Sequence, residues 1–267
     1  MRLHQLVTLD TQAGRFLVVG DVHGQFDCLL RLLGHLEYDP HRDKLLFVGD
    51  LIDRGPDSLA CLEMLDSPAV YACLGNHEQM ALDSMADSSG LMQEFWSANG
   101  GRWFDKLTHE QQQSVQYLIV RHMSYSLEFI WKGYRIGLVH AEFPAELSWQ
   151  DIQSSGKPSK TQLNQMLWSR NRIRGHIRGK IPGVDLLVVG HTMLEDAHLE
   201  DNVFYLDTGA ASMQRDSALS SPRLSVLVFD DQVRLYGIDR QKNISQYPQP
   251  LNDFLKACGG KSKVTIV

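Results

Sequence analysis

Apolar runs and helical periodicity alternate in the first third of the chain. Short apolar runs, which predict buried strands, lie at residues 16–19, 45–48 and 70–74. Between the first two runs, apolar residues recur at helical spacing, which predicts an amphipathic helix over 25–37. Asp57 is placed to cap a second helix, and a further helix is predicted from about Glu78. This β-α-β-α-β order favours parallel strands joined by crossover helices.

The rest of the chain is predicted to add a helical segment with loops over 91–120 and then a series of strands. Strand-like runs lie at 123–131, 134–140, 186–190, 203–206, 224–229 and 233–238. The basic, glycine-containing segment 175–183 predicts a mobile surface loop. After Arg240 the pattern weakens. Residues 251–258 predict a short helix, and 263–267 a terminal strand or a frayed tail.

Composition narrows the class of protein. The 267 residues are 43% hydrophobic and 22% charged, which is typical of a globular protein, and no apolar stretch approaches the roughly 18 residues needed to span a bilayer. The N-terminus lacks the apolar centre of a signal peptide, so a cytoplasmic location is expected. The net charge of −6 argues against nucleic-acid binding. Four cysteines without CxxC spacing are expected to be reduced packing residues: Cys28, Cys61, Cys73 and Cys258.

Five of the apolar runs end in Asp, Asn or His. The terminal side chains, in chain order, are Asp21 with His23, Asp50, Asn76 with His77, His140, and His191. Because the carboxyl ends of parallel strands meet at one edge of a sheet, these groups should converge. One such terminus alone fits a turn or a structural histidine, but five in one chain predict a metal site. Carboxylate, amide and imidazole ligands without thiolate suit Mn²⁺, Fe or Zn²⁺.

Taken in order, these motifs resemble those of the phosphoprotein phosphatases in the calcineurin-like metallophosphoesterase superfamily. The matching segments are GDVHG, GDLIDRG, GNHE, an isolated later His, and GHT. Five further segments resemble the bacterial and bacteriophage-lambda branch: GNHEQM, NGGRWF, HAEFP, LWSR and LDTGA. The resemblance covers roughly residues 15–230. One position departs from the pattern, because Leu74 stands where most relatives have Arg before GNH.

The resemblance implies an α/β metallophosphoesterase fold, with two central mixed β-sheets packed as a sandwich and flanked by helices. The catalytic domain is expected over 1–240, with 241–267 as an extension of unknown role packed on it. Two divalent metal ions are implied, with Mn²⁺ favoured and Fe or Zn²⁺ as alternatives. By motif, the first metal would be held by Asp21 and His23, Asp50 would bridge both metals, and the second would be completed by Asn76, His140 and His191.

The resemblance also implies catalytic roles. His77 would act as the general acid, and Asp53 would orient the His77 ring and favour its positively charged form. Arg54 and Arg170 would bind the phosphoryl oxygens, as planar donor forks do. A surface ion pair for Arg54 and a solvated basic loop for Arg170 are the competing interpretations. Hydrolysis would occur in one step, by attack of a metal-bridging hydroxide on phosphorus.

The expected substrates are phosphoserine and phosphothreonine in proteins or peptides, with phosphotyrosine also accepted. No nucleic-acid or membrane partner is expected, and the oligomeric state is left open. The alternative is a symmetrical diadenosine tetraphosphatase or another small-molecule phosphoesterase. Relatives of that enzyme usually have Ala at the position of Asp53, which favours the protein phosphatase. A non-catalytic scaffold is disfavoured because no ligand and no acid is missing.

Overall fold

The computed structural model describes residues 1–11, 13–153, 158–214 and 218–258. The strands within these ranges are β1 Arg2–Leu6, β2 Phe16–Val19, β3 Lys44–Phe47, β4 Val70–Cys73, β5 Met123–Trp131, β6 Tyr134–Val139, β7 Leu186–Val189, β8 His198–Glu200, β9 Val203–Tyr205, β10 Arg223–Phe229, β11 Val233–Asp239 and β12 Ile244–Tyr247. The α-helices are α1 Phe26–His35, α2 Ser58–Glu63, α3 Asn76–Ala86, α4 Leu91–Ala98, α5 His109–His122, α6 Trp149–Gln153, α7 Lys160–Trp168 and α8 Leu251–Cys258. Short 3-10 helices span Met64–Asp66, Gly101–Lys106 and Ala210–Ser212.

The predicted β-α-β-α-β order is confirmed. Strands β2, β3 and β4 pair in parallel, and helices α1 and α2 connect them. Asp57 precedes α2 as predicted, but its side chain makes no capping hydrogen bond. Helix α3 begins at Asn76, two residues before the predicted start, because the Glu78 carboxylate accepts the backbone N–H of Gly75 and closes the first turn.

Three strands were absent from the sequence-based prediction, namely β1, β8 and β12. Each is short and carries mixed polar and apolar residues, so its strand structure depends on the neighbour it pairs with. Strand β1, for example, pairs in parallel with β5. The predicted helix over 251–258 is confirmed as α8, whereas the segment 263–267 lies outside the described residues. Residues 175–183 contain no helix or strand, and their mobility stays a prediction.

The described strands form one continuous mixed sheet, so the expectation of two separate sheets is wrong. The order is β12-β11-β10-β2-β3-β4-β5-β6-β7-β9-β8, and β1 pairs with β5 outside this path. The connection between the halves is short, since β4 meets β5 only at Ala72–Met123 and Cys73–Ser124. Strand β1 continues along the same edge of β5, from Ser124 onward. The short pairing of β4 with β5 therefore joins the two sheets that were predicted into one.

The sheet curls so that its two halves pack face to face. Phe16 on β2 and Phe129 on β5 stack with ring centroids 4.1 Å apart, although β3 and β4 lie between their strands in the sheet. These rings belong to a buried apolar core that both halves share. A second core lies between β2, β3, β4, β10 and the helices α1, α2, α3 and α5. A third lies between β6, β7, β9 and the helices α6 and α7. The α/β/β/α layering is therefore present within a single sheet.

Residues after Arg240 contribute to this fold. Strand β12 pairs antiparallel with β11, and Leu251 and Leu255 of α8 are buried in the core that the two sheet halves share. The four cysteines are free thiols, and three of them are buried, as predicted for packing residues. Among the described helices, none has the length and apolar character needed to cross a membrane.

Candidate metal centre

Five strands deliver the predicted ligands to one buried point. The side chains follow the ends of β2, β3, β4, β6 and β7, as parallel packing at a common sheet edge requires. The six predicted ligands are at most 7% exposed: Asp21, His23, Asp50, Asn76, His140 and His191. Sequence reasoning placed them together from strand polarity alone, and the structure does the same.

A continuous chain of short distances links these six residues. Asp50 lies in the middle, with Oδ2 3.5 Å from His23 Nε2 and Oδ1 3.4 Å from His140 Nε2. The Oδ1 atom of Asn76 lies 2.9 Å from His140 Nε2 and 2.9 Å from His191 Nδ1. At the far end, the backbone N–H of His191 donates to Asp21 Oδ2 over 3.0 Å. Five of the six residues therefore bring a donor atom within 3.5 Å of another, and Asp21 is joined to them through the backbone of His191.

Each of the three histidines uses one ring nitrogen on a backbone carbonyl and points the other inward. His23 Nδ1 donates to Ile52 O over 2.9 Å, and His140 Nδ1 donates to Val48 O over 3.0 Å. His191 donates from Nε2 to Trp168 O over 3.2 Å. A carbonyl only accepts hydrogen bonds, so the inward nitrogen of each ring keeps its lone pair. Metal-ligating histidines are held in this way by the residues behind them.

Two overlapping groups of atoms could each hold a metal ion. One consists of His23, Asp50 and His77, and the other of Asp50, His140 and His191. Asp50 is common to both. The buried His/Asp clusters are therefore consistent with a binuclear metal site, in which one carboxylate can face two cations.

Burial sets the electrostatics of the centre. It raises the pKa of the Asp21 and Asp50 carboxyls well above the usual range, and it lowers the pKa of the His23 and His140 imidazoles well below theirs. Burial also lowers the pKa of His191 to about 3. Neutral imidazole is the form that binds a metal, and a divalent cation would favour ionised carboxylates at the same point. The donor set therefore fits a pair of divalent ions.

His77 differs from the other histidines of the site. Its Nδ1 faces a carboxylate rather than a carbonyl, with Asp53 Oδ2 at 2.6 Å. Its Nε2 lies 3.9 Å from Asp50 Oδ2. Burial raises the pKa of Asp53 to about 7, and hydrogen bonds from Trp103 and Trp96 oppose that rise. His77 and Asp53 thus form a buried pair whose free imidazole nitrogen faces the metal cluster.

The two predicted phosphate-binding arginines both reach the centre. Arg54 Nη1 donates to His23 Nε2 over 3.0 Å, which places the guanidinium at the cluster. Arg170 Nη2 donates to the backbone carbonyl of His191 over 3.2 Å. Neither guanidinium forms an ion pair among those found in the described residues, so a surface ion pair does not account for Arg54. Arg174, on the same segment as Arg170, is exposed.

Several residues of the centre have a left-handed backbone. The φ angles are positive at His23 (46°), Asp50 (52°), Asp53 (73°), Arg54 (68°) and His191 (65°). Residues other than glycine rarely adopt this region, and such strain concentrates at functional sites. The turns at the strand ends aim these side chains at one point.

Sequence reasoning gave no role to two further buried acids of the site. Glu78 accepts the backbone N–H groups of Asp50, Leu51 and Gly75 at 2.7–3.0 Å, and burial raises its pKa to about 7. It therefore holds the turn that carries Asp50. Asp207 accepts the N–H of Gly209, and burial raises its pKa to about 6. Both residues lie in the recognised segments GNHE and LDTGA, and membership of these motifs was the one indication in the sequence that they belong to the site.

Leu74 has apolar surroundings in the structure. Its side chain is fully buried in the core beneath α1–α3 and α5, and its N–H donates to Ser124 O over 2.7 Å. These apolar surroundings match the Leu side chain at this position.

Most of the sequence matches known phosphoesterases. The family model of calcineurin-like phosphoesterases matches residues 14–195, and the chain belongs to this family. It is 42% identical over 196 residues to serine/threonine-protein phosphatase 1 of Salmonella typhimurium, covering 72% of this chain and 85% of the relative. It is 33% identical over 205 residues to serine/threonine-protein phosphatase 2 of Escherichia coli, covering 74% and 88%. The resemblance predicted from the motifs is confirmed.

A second group of relatives matches only a short segment. The symmetrical bis(5'-nucleosyl)-tetraphosphatase of Dechloromonas aromatica is 48% identical over 62 residues, which is 22% of each chain. Among solved structures, the cold-active protein-tyrosine phosphatase of a psychrophilic Shewanella superposes with a TM-score of 0.56 at 17% identity, covering 93% of this chain and 83% of that one. A serine/threonine phosphatase from Saccharomyces cerevisiae gives 0.52 at 16%, covering 93% and 84%. These similarities show the fold.

Proposed function

We propose that the protein is a metal-dependent phosphatase that hydrolyses phosphoserine and phosphothreonine monoesters in proteins. The observation that carries this proposal is the buried His77–Asp53 pair next to Asp50, the carboxylate that two candidate ligand groups share, since these residues provide a proton donor and a metal centre. Similarity to bacterial serine/threonine phosphatases over most of the chain supports the substrate class. The catalytic domain is proposed to span 1–240, with 241–267 packed on it.

The metal centre is proposed to hold two divalent ions, with Mn²⁺ preferred over Fe and Zn²⁺. Asp21 and His23 would hold the first ion, Asp50 both, and Asn76, His140 and His191 the second. The bound ions would supply positive charge to the phosphoryl oxygens and lower the pKa of the attacking water. The inward lone pairs of three histidines and the central position of Asp50 support this assignment.

The protein's own groups complete the proposed reaction. Arg54 and Arg170 bind the phosphoryl oxygens and stabilise the charge that develops on them. His77 holds a proton on Nε2 and donates it to the leaving serine or threonine oxygen, while Asp53 fixes the ring through Nδ1. Asp53 also stabilises the cationic form of the ring. No covalent intermediate is required.

Phosphotyrosine peptides are proposed as further substrates, because the two arginines contact only the phosphoryl group that all three phosphoresidues share. Diadenosine tetraphosphate is the second candidate, and the 48% identity over a short segment favours it. That substrate is highly anionic, and Asp53 adds negative charge beneath the site. The phosphopeptides are therefore expected to be preferred.

A substrate panel tests the proposal. Metal-stripped protein is reloaded separately with Mn²⁺, Fe²⁺, Zn²⁺ or Mg²⁺ and given phosphoserine, phosphothreonine and phosphotyrosine peptides and diadenosine tetraphosphate. Highest kcat/KM on phosphopeptides with Mn²⁺ is the expected result. A tenfold preference for the nucleotide, about 1.4 kcal/mol of transition-state free energy, would replace the protein-phosphatase assignment by the nucleotide one.

A further inference from the structure

The Asp53 carboxylate is surrounded by three N–H donors. Oδ2 accepts from His77 Nδ1 at 2.6 Å and from Trp96 Nε1 at 2.7 Å. Oδ1 accepts from Trp103 Nε1 at 2.7 Å. Asp53 and Trp96 are fully buried and His77 is 1% exposed, whereas Trp103 is half-buried. Both carboxylate oxygens are thus held by indole groups whose only polar atom is a donor.

The NGGRWF segment, which sequence analysis used only as a family marker, builds this arrangement. A Cβ on Gly100 would lie 2.9 Å from Arg54 N and 3.1 Å from Asp53 Cβ, so the backbone passes directly against the Asp53–Arg54 turn. A Cβ on Gly101 would lie 2.5 Å from the Trp96 ring. The two glycines therefore let α4 and the 3-10 helix at Gly101–Lys106 approach closely enough for Trp96 and Trp103 to reach one carboxylate.

Packing locks the two indoles in place. The Trp96 and Trp103 rings meet edge to face at 6.1 Å, and Phe104 contacts both, at 5.1 Å and 6.1 Å. Such aromatic contacts restrict ring rotation in addition to burying area. The donors therefore have a fixed direction, and they impose it on the carboxylate.

We propose that Trp96 and Trp103 are positioning residues for the general acid: their indole N–H groups hold the Asp53 carboxylate so that Oδ2 orients the His77 ring. The inference rests on the proposed function, because it assigns the two residues to the step that protonates the leaving group. Among the described residues, neither indole forms a hydrogen bond to His77 or to a predicted metal ligand. Their effect passes through Asp53.

The geometry explains why both donors are needed. Among the described residues, Trp103 supplies the one hydrogen-bond donor found at Oδ1. Without it, the carboxylate is less restrained and rotates or accepts a proton more easily. Without Trp96, Oδ2 is held by His77 alone, so the acid and its orienting group can move together. A small rotation of the imidazole carries Nε2 away from the leaving oxygen, and general acid catalysis depends strongly on that distance.

Trp103→Phe tests the proposal, because it removes the N–H and keeps an aromatic ring at a half-buried position. The expected result is a roughly tenfold lower kcat on a phosphoserine peptide with KM within about twofold of wild type. On nitrophenyl phosphate, whose leaving group needs little protonation, the loss should be under about threefold. Metal content should stay at the wild-type level. Trp96→Phe, acting on the other oxygen, is the second variant if Trp103→Phe does not fold.

Trp131→Phe is the matched control. Its Nε1 also donates a hydrogen bond, to the backbone carbonyl of Asp230 over 2.9 Å, at the opposite end of β5 from the site. Its kinetics should equal those of the wild type with both substrates. A loss as large as that of Trp103→Phe would mean that the effect is structural.

A double-mutant cycle with His77→Asn decides the route of the effect. If the indoles act through the acid, Trp103→Phe should cause no further loss in the His77→Asn background. The same fractional loss in both backgrounds, or an equal loss on both substrates, would overturn the proposal. Failure of the substrate assignment is separable, since it would appear as wild-type preference for diadenosine tetraphosphate. The same cycle measured with that nucleotide would then decide the role of the tryptophans.

Discussion

Asn76 Oδ1 lies 2.9 Å from His140 Nε2, although the two residues are 64 positions apart in the chain. Asn76 begins the helix after β4, and His140 directly follows β6. Amide oxygen and imidazole nitrogen are both atom types that bind metal ions in proteins. Their contact connects the ends of the parallel strands β2–β4 with the ends of β6 and β7.

The first prediction concerns Asp50, which lies between the two clusters. Asp50→Asn should lower metal affinity at both positions by about a hundredfold or more, because one change weakens every contact that Asp50 makes. Metal content after dialysis, measured by mass spectrometry, and kcat on a phosphoserine peptide should fall together. Asp43→Asn is the matched control, since Asp43 is a buried carboxylate at the opposite end of β3. Wild-type metal content in Asp50→Asn would show that Asp50 is not a shared ligand.

The second prediction separates His77 from the ligands. His77→Asn should keep its metal and lose roughly 10²–10⁴ in kcat on phosphoserine, the usual range for general acid–base help. The loss should shrink on nitrophenyl phosphate, which has a better leaving group. His41→Asn, a change at an exposed histidine, provides the control, and its metal content and kcat should equal those of the wild type. Equal losses on both substrates, or loss of one metal ion, would assign His77 to the ligand set instead.

The third prediction compares two arginines on the same segment. Arg170 is partly buried and hydrogen-bonded at the centre, whereas Arg174 is exposed. Arg170→Ala should lower kcat/KM by roughly 10- to 100-fold, the value of a hydrogen bond to a charged phosphoryl oxygen. Arg174→Ala should change it less than threefold. Similar effects of the two changes would favour the solvated basic loop over a phosphate-binding role.

The fourth prediction is a pH dependence of stability in the metal-free protein. The pKa of Asp53 is raised from 3.8 to about 7 by burial, so folding favours its protonated form. Its contribution is fully present below pH 3.8 and is lost as the pH rises through about 7. The free energy of unfolding of the wild type, relative to Asp53→Asn, should therefore fall between pH 4 and pH 8 by a few kcal/mol, as an order of magnitude. Urea titrations of both proteins with chelator measure this. A difference that stays constant with pH would contradict the raised pKa.

Much of the centre was predictable because the relevant pattern is local. An apolar run followed by Gly and then Asp, Asn or His identifies a strand and its polar end within a few residues, and parallel strand order brings such ends to one edge. The six predicted ligands and His77 came from this pattern and reach the centre. Asp53 and the two arginines, which only the family resemblance implied, also reach it. Glu78 and Asp207 lie in the recognised segments GNHE and LDTGA, but no local pattern indicated that they would be buried next to the metal centre.

The sequence by itself determined the α/β class, most strand and helix positions and the predicted ligand set, because hydrophobic periodicity and turn residues act over short distances. Tertiary structure alone decided that the strands form one curled sheet, because two residue pairs between β4 and β5 join its halves. It also decided that Trp96 and Trp103 meet Asp53. Those contacts span 43 and 50 positions and depend on the close approach of Gly100 and Gly101, which no local pattern encodes.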